Sequence, residues 1–166
     1  MTWVRVLVAA AVTYAGSALL GNTTVTWTAI DESNNKGTAT QTVKIVDTTP
    51  PKLTLTLSPT TLWPPNHKLA QITASITVSD VCDPNPTVRV ISITSNEPDN
   101  GLGDGDTQED IQEATLGTDD RTFLVRSERS GNGNGRVYTV TYEASDASGN
   151  KTVRQATVTV SKSQGK

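Results

Sequence analysis

The segment from Ser95 to Arg121 carries the densest set of side chains that could do chemistry. It is too long and too polar for an ordinary hairpin loop. Many of its carboxylates lie among glycines, including Glu97, Asp99, Asp104, Asp106, Glu109, Asp110, Asp119 and Asp120. Carboxylates this close repel one another unless a cation lies among them, and Ca²⁺ accepts about six to eight oxygens in flexible geometry. We therefore expect calcium on Asp104 and Asp106, with Glu97 and Asp99 as the next ligands; a solvated acidic loop is the alternative.

Neighbouring residues suggest other uses for part of this acidic charge. The segment from Thr107 to Asp110 fits a capping box that opens one helical turn, in which Asp110 would serve backbone amides. Arg126, Arg129 and Arg136 are predicted to pair with the acidic loop, because a guanidinium suits two-point contacts with carboxylates.

Four further aspartates lie in turn-like sequence. Asp31 and Asp146 occupy equivalent turns, where an aspartate commonly accepts hydrogen bonds from the amides that follow it. The same carboxylates could instead reach a calcium ion shared between domains. Asp80 and Asp83, on either side of Cys82, leave the same two interpretations open.

The stretch from Leu62 to Lys68, LWPPNHK, is a stiff loop that carries an aromatic side chain. Trp63 either stacks on a sugar ring or plugs the end of the fold, and the plug is favoured because large aromatics usually anchor packing. His67 lacks a companion for catalysis, since no nucleophile elbow or catalytic cysteine motif is present. We therefore do not expect an enzyme.

The segments that must position these loops have strand character. Alternating apolar and polar residues, rich in Val, Ile and Thr, predict antiparallel sheets with one buried face. Six such segments follow residue 51: Leu53–Ser58, Leu69–Ser79, Thr87–Ser95, Thr122–Glu128, Arg136–Ser145 and Thr152–Ser161. A short seventh strand is expected within the loops. Two such sheets packed together form a sandwich of about 100 residues.

An internal repeat sets the domain organisation. Thr24–Ile45 and Thr139–Val160 share a Thr-Val-Thr start, an aromatic residue, an Asp and an Asn-Lys pair before a second alternating run. Each copy predicts a β-hairpin, so the chain should hold two tandem β-units. The expected divisions are a partial unit at 1–47 with about three strands, a proline-rich linker at 48–51, and a complete sandwich at 52–166 with its acidic loop at 95–121.

Residues 1–20 allow two interpretations. Their apolar run from Val6 to Val12 is too short to span a bilayer but could be the core of a secretory leader. The alternative is a strand, because Trp3–Val8 is β-rich and partly alternating.

Residues 21–51, GNTTVTWTAIDESNNKGTATQTVKIVDTTPP, resemble the end of a hyalin-repeat (HYR) domain, and residues 138–160 resemble the end of a related unit. The body between them carries LWPPNHK, SDVCDP, SNEPDNGLGDGD and ERSGNGNGRVY. The resemblance implies an all-β, immunoglobulin-like antiparallel sandwich preceded by a partial second unit. It also implies an extracellular or cell-surface location and a non-catalytic role in bacterial surface proteins.

Composition narrows the function classes. A net charge of −3 offers no footprint for nucleic acid, and a single Cys excludes an intrachain disulfide. We expect a calcium-stabilised structural or adhesive module whose partners are neighbouring domains, copies of the chain or a surface polysaccharide. One alternative is a filament subunit in which the N-terminal strands complete a neighbour. Another is a carbohydrate-binding accessory domain of a secreted enzyme.

Overall fold

A computed structural model of the chain describes residues 20–101, 105 and 107–162. The chain divides into unit 1, Met1–Thr48, and unit 2, Thr49–Lys166. Every regular element among the described residues is a β-strand. None of the described segments is a helix with the length and apolarity needed to cross a bilayer. The all-β prediction is therefore confirmed.

Unit 1 contributes one antiparallel hairpin. Strand β1, Gly21–Ile30, pairs with strand β2, Lys36–Ile45. Residues that face each other across an antiparallel pair share a face of the sheet, so one face carries Val25, Trp27, Ala29, Ala39 and Val43. The opposite face carries three threonine pairs: Thr24–Thr42, Thr26–Thr40 and Thr28–Thr38. The alternative of a leader or a strand concerns residues 1–20, of which 1–19 lie outside the described residues.

Unit 2 consists of two four-stranded sheets. Its strands are β3 (Lys52–Ser58), β4 (Thr61–Leu62), β5 (Leu69–Ser79), β6 (Thr87–Ser95), β7 (Ile111–Gln112), β8 (Thr122–Arg126), β9 (Arg136–Ser145) and β10 (Lys151–Val160). One sheet has the order β4-β10-β9-β6 and the other the order β3-β5-β8-β7. Neighbours are antiparallel except β4 and β10, which are parallel.

The predicted strands and the observed ones agree closely. Strands β5, β6 and β9 have the predicted bounds. Strand β3 begins one residue earlier than predicted, β8 ends two residues earlier, and β10 begins and ends one residue earlier. The extra strand expected in the loops is present twice, as β4 and β7.

The core lies between the two sheets and follows the alternation in each strand. Both sheets contribute to one buried cluster: Leu53, Leu57, Leu62, Ile72, Ala74, Ile76, Val90, Phe123, Val125, Tyr138, Val140, Tyr142, Ala144, Val158 and Val160. Removal of this much apolar surface from water is the main favourable term in folding. Because the two sheets share one core, unit 2 is a β-sandwich.

Tyr142 makes the stability of this core sensitive to alkali. Its hydroxyl donates to the Asp120 carbonyl at 2.5 Å, and burial, with help from nearby Asp120 and Asp119, raises its pKa to about 12. An unfolded tyrosine has a pKa of about 10. The protonated Tyr142 hydroxyl therefore stabilises the folded state fully below about pH 10, and this stabilisation is lost as the pH rises through about 12.

We expect the free energy of unfolding of the wild type to fall steeply between about pH 10 and pH 12. The free energy of unfolding of Tyr142→Phe should fall less over the same pH interval, because phenylalanine has no hydroxyl proton to lose. Chemical denaturation of both proteins at several pH values measures this difference. Equal slopes of the free energy of unfolding against pH in the two proteins would contradict this expectation. A smaller slope remains in the variant because burial also raises the pKa of Tyr138.

Candidate functional site

Arg136 lies at the centre of a group of buried charges at one end of the sandwich. It begins β9 and shares the inward side of that strand with Tyr138 and Val140, so its side chain is fully buried. Its Nη1 contacts Asp110 Oδ2, and its Nε lies 3.4 Å from Glu97 Oε2. Its Nη2 donates to the Pro98 carbonyl at 3.2 Å. The guanidinium is thus surrounded by oxygen atoms and satisfies the rule that a buried charge needs partners.

Asp110 joins a second guanidinium to the first. Its Oδ1 lies 3.2 Å from Nε of Arg126, while its Oδ2 contacts Arg136. Neither Asp110 oxygen has a hydrogen-bond partner among the described residues, so both contacts are ion pairs that depend on charge attraction. The remaining Arg126 nitrogens donate to the carbonyls of His67 at 3.0 Å and Gln108 at 2.8 Å. Arg126 therefore ties the acidic loop to the LWPPNHK loop.

Glu128 is the third buried acid of the group. Its Oε2 accepts hydrogen bonds from Thr107 Oγ1 and pairs with His67 Nδ1 at 2.9 Å. Its Oε1 accepts no hydrogen bond from the described residues and lies 3.9 Å from Arg136 Nη2. Gly105 has a φ of 108°, and a Cβ there would collide with the His67 ring. The close approach of backbone and imidazole therefore requires glycine at that position.

We call Glu97, Asp110, Arg126, Glu128 and Arg136 the ion cluster. Tyr138 packs beside it: its hydroxyl donates to the Arg126 carbonyl at 2.8 Å, and the Arg136 guanidinium carbon lies 5.9 Å from its ring centroid. Burial raises the Tyr138 pKa, and the positive charge of Arg136 opposes the rise. The charged groups of the cluster pair with one another and with loop carbonyls, so the arrangement is suited to holding these loops together.

The ion cluster confirms the expectation that Arg126 and Arg136 pair with acidic-loop residues. Arg129 instead donates to the carbonyls of Ser130 and Lys162. The expected helical turn after Thr107 is wrong: residues 107–109 are irregular, strand β7 follows, and Asp110 turns inward to the arginines. Burial of two guanidiniums without a carboxylate would cost more than a capping interaction supplies.

The four predicted calcium ligands divide into two pairs. Asp104 and Asp106 lie outside the described residues. Glu97 Oε2 accepts the Ser130 amide at 2.7 Å and faces Arg136. Both oxygens of Asp99 accept backbone amides, from Glu109 at 3.0 Å and Asp110 at 2.7 Å. Glu97 and Asp99 thus fit a calcium site poorly, because a cation would compete with an arginine and with two amides.

Asp99 also lines a shallow open depression of about 520 Å³. The other lining residues are Glu109, Ile111, Gln112 and Glu113. Three of the five are acidic and one is apolar, which is a surface without the convergent polar groups of a small-molecule site.

Each of the four turn aspartates accepts backbone amides of its own loop, and Asp83 also accepts one from a distant turn. Asp31 accepts the amides of Ser33 and Asn35, and Asp146 accepts the amide and side chain of Asn150 at 2.8 Å each. The hydrogen bonds from Asn35 lower the pKa of Asp31. Burial alone would raise the pKa of Asp146, but the Asn150 hydrogen bonds outweigh it and the pKa is lowered. These contacts match the turn interpretation; a calcium ion shared between domains stays a prediction.

Asp80 and Asp83 behave in the same way. Asp80 Oδ1 accepts the amides of Cys82 and Asp83 at 2.8 and 2.9 Å. Asp83 accepts the Asn85 amide at 2.9 Å and, from the distant β9–β10 turn, the Ala147 amide at 2.8 Å. The two side chains therefore fix the connection that follows β5.

Trp63 does not plug the end of the sandwich. Its side chain is 42% exposed, whereas the adjoining Leu62 is buried in the core. The buried side chains that join the LWPPNHK loop to the acidic loop belong to the ion cluster instead. Stacking on a sugar ring stays a prediction.

Sequence reasoning missed Glu128 and His67 as members of this site. The sequence did indicate the inward position of Arg136. Alternate residues of a strand share a face, so Arg136 lies on the same side of β9 as Tyr138, Val140 and Tyr142. An inward arginine demands buried acids nearby.

Comparison with protein-family models finds no match to this chain. Comparison with curated protein sequences finds none either.

Proposed function

We propose that the chain is a non-catalytic, immunoglobulin-like structural or adhesive module that acts outside the cell or at its surface. The observation that carries the proposal is that the buried charged groups of unit 2 pair with one another and with the backbone of the loops. The five members of the ion cluster bind one another and four loop carbonyls, those of Pro98, His67, Gln108 and Glu109. A site built in this way holds loops together and favours a load-bearing or spacing role.

The repeat adds support from a second direction. Hairpins β1–β2 and β9–β10 share register and turn, as expected for β-units placed in series. The resemblance of the chain to hyalin-repeat and related modules favours a surface location.

Single-molecule unfolding tests the structural role. The full chain is held between two handle domains and pulled, and we expect unit 2 to unfold in one step at a force comparable to that of other β-sandwiches. Arg136→Met should unfold at a lower force, while the exposed Arg154→Met should match the wild type. Unfolding of the wild type at a force too low to resolve would contradict a load-bearing role.

Calcium enters the proposal through Asp104 and Asp106. An ion that binds only the folded state stabilises it by about 2.7 kcal/mol at a hundredfold excess over its dissociation constant. We expect the melting temperature to rise with added CaCl₂ and to fall with EDTA. Asp104→Asn with Asp106→Asn should abolish the difference, and Asp119→Asn is the control that keeps it. Identical melting with CaCl₂ and EDTA in the wild type would remove calcium from the proposal.

Carbohydrate binding is the second candidate, favoured by the exposed indole of Trp63. An aromatic ring on a surface loop can stack on the apolar face of a sugar. We expect the full chain to be retained on an insoluble polysaccharide column, and Trp63→Ala to elute early. Leu116→Ala is a matched control, because Leu116 is also large, apolar and exposed. Equal retention of wild type and Trp63→Ala would reject this candidate.

A further inference from the structure

The hairpin of unit 1 is a second copy of the hairpin that ends unit 2. Strand β1 corresponds to β9 and β2 to β10, residue for residue, and Gly21 faces Ile45 as Arg136 faces Val160. The turns also agree, because Asp31 binds Asn35 as Asp146 binds Asn150. What surrounds the hairpin in unit 2 is therefore a guide to what the hairpin in unit 1 needs.

In unit 2 this hairpin is covered on its inner face, along the edge of β9 and, over two residues, at the edge of β10 by β4. Val140, Tyr142, Ala144 and Val158 are fully buried, and the free edge of β9 pairs with β6 in antiparallel order. In unit 1, Val25, Trp27 and Ala29 occupy the positions of the first three and are only half-buried.

Val43, in the place of Val158, is 41% exposed. Among the described residues, β1 and β2 pair only with each other. Within residues 20–48, nothing takes the places that β6 and the facing sheet occupy around the hairpin of unit 2.

The two edges of the hairpin differ in charge. Strand β1 has no charged residue between Gly21 and Ile30, whereas β2 carries Lys36 and Lys44. Lysines on an edge strand discourage the addition of another strand. In unit 2 the outer edge of β9, the counterpart of β1, pairs with most of β6, whereas the outer edge of β10, the counterpart of β2, pairs only with the two residues of β4. Strand β1 is therefore the edge at which a strand would add.

Two arrangements with a second copy of the chain fit the hairpin poorly. If β1–β2 replaced β9–β10 in the unit 2 of another copy, Gly21 and Thr23 would stand where Arg136 and Tyr138 stand. Asp110 and Glu128 would then lose a buried cation, which is strongly destabilising. Two hairpins stacked face to face would each bury roughly 330 Å². The sum of the two areas is about half of the total area that a small stable interface buries.

We propose that β1 is an acceptor edge for a strand from a different polypeptide segment, one that carries the remainder of a sandwich of this type. The incoming strand runs antiparallel to β1 and points alternate apolar side chains to the face that holds Trp27. In unit 2, β6 supplies the corresponding apolar side chains to β9. The pairs across the two strands are Val88–Ala144, Val90–Tyr142 and Ile93–Val140. The incoming segment brings no buried acid, because β1 offers no arginine.

Hydrogen exchange on the full chain tests the proposal. The probe is a synthetic peptide with the β6 sequence, residues 87–95. In β6 the Val90 amide donates away from β9, to the Thr118 carbonyl, so the amide of the adjoining Arg89 points to the side that pairs with β9. The control peptide therefore carries Arg89→Pro, which removes an amide from that side and breaks the ladder. At saturating peptide we expect about tenfold slower exchange of amides in β1, with β2 and unit 2 unchanged. The control peptide should leave every rate as it was.

Two protein variants locate the binding edge. Thr26 and Thr40 face each other on the polar side of the hairpin, so Thr26→Lys places a charge on β1 and Thr40→Lys places the same charge on β2. Thr26→Lys should abolish the protection by the peptide, and Thr40→Lys should retain it. The reverse order would overturn the assignment of the edge.

Three results would overturn the proposal itself. One is the absence of peptide-dependent protection. A second is full protection of β1 before any peptide is added, in a chain that sediments as a monomer, which would mean that the edge is covered by the chain itself. The third is the same protection in a chain that sediments as a dimer. Each is independent of the pulling experiment on unit 2, so the two ideas can fail separately.

Discussion

Replacement of Arg136 by methionine is expected to lower the free energy of unfolding of unit 2 by about 3–5 kcal/mol. Methionine fills a similar length of the pocket but leaves Asp110 and Glu128, both buried, without the cation between them. Arg126 remains near Asp110 but is held by the carbonyls of His67 and Gln108. The loss therefore comes from uncompensated charge rather than from lost packing.

Urea titration followed by circular dichroism measures this effect. Arg89→Met is the matched control, because Arg89 pairs with Glu143 on the outer face of the same sheet and half of its side chain is exposed. Its removal should cost at most about 1 kcal/mol. Addition of Asp110→Asn to Arg136→Met should restore part of the stability. Equal losses at Arg136 and Arg89, or no restoration, would show that the cluster charges are effectively solvated.

The second large effect is expected at Tyr142. Tyr142→Ala empties a fully buried position between the two sheets and should lower the free energy of unfolding by about 3–5 kcal/mol, as large aromatic truncations do. Its counterpart in the repeat is Trp27, which is only half-buried. Trp27→Ala in the isolated full chain should therefore leave the unfolding of unit 2 unchanged.

Thermal unfolding of the two variants, side by side, compares one repeat position in two settings. A similar fall in melting temperature for both would mean that the hairpin of unit 1 already has a complete core. That result would also remove the reason for an acceptor edge at β1, whereas a loss confined to Tyr142→Ala would support it.

Sequence pattern predicted most of the fold because long strands carry their own signal. The alternation in Leu69–Ser79 and Arg136–Ser145 extends over ten or more residues, and the bounds of both strands were predicted as observed. Strands Thr61–Leu62 and Ile111–Gln112 have only two residues each. A period of two cannot be detected in two residues, so their positions depend on tertiary pairing with β10 and β8.

The site was predictable only in part, for a related reason. Pairing of Arg126 and Arg136 with acids follows from their chemistry and was predicted. Which acids they meet depends on how the loop after β6 folds back to β8, and local sequence does not encode that path. Asp110 fitted a local capping motif equally well, and only the buried position of Arg136 decides against it.

The position of Arg136 at the start of β9 has a consequence for how the protein is made. Glu97, Asp110 and Glu128 all precede it in the chain, so during synthesis these acids leave the ribosome before the arginine that holds them together at one end of the sandwich. A nascent chain that stops short of Arg136 cannot close that end, however well its first sheet has paired. Completion of unit 2 therefore waits for the last hairpin, and a truncated product would expose its acidic loops to proteases.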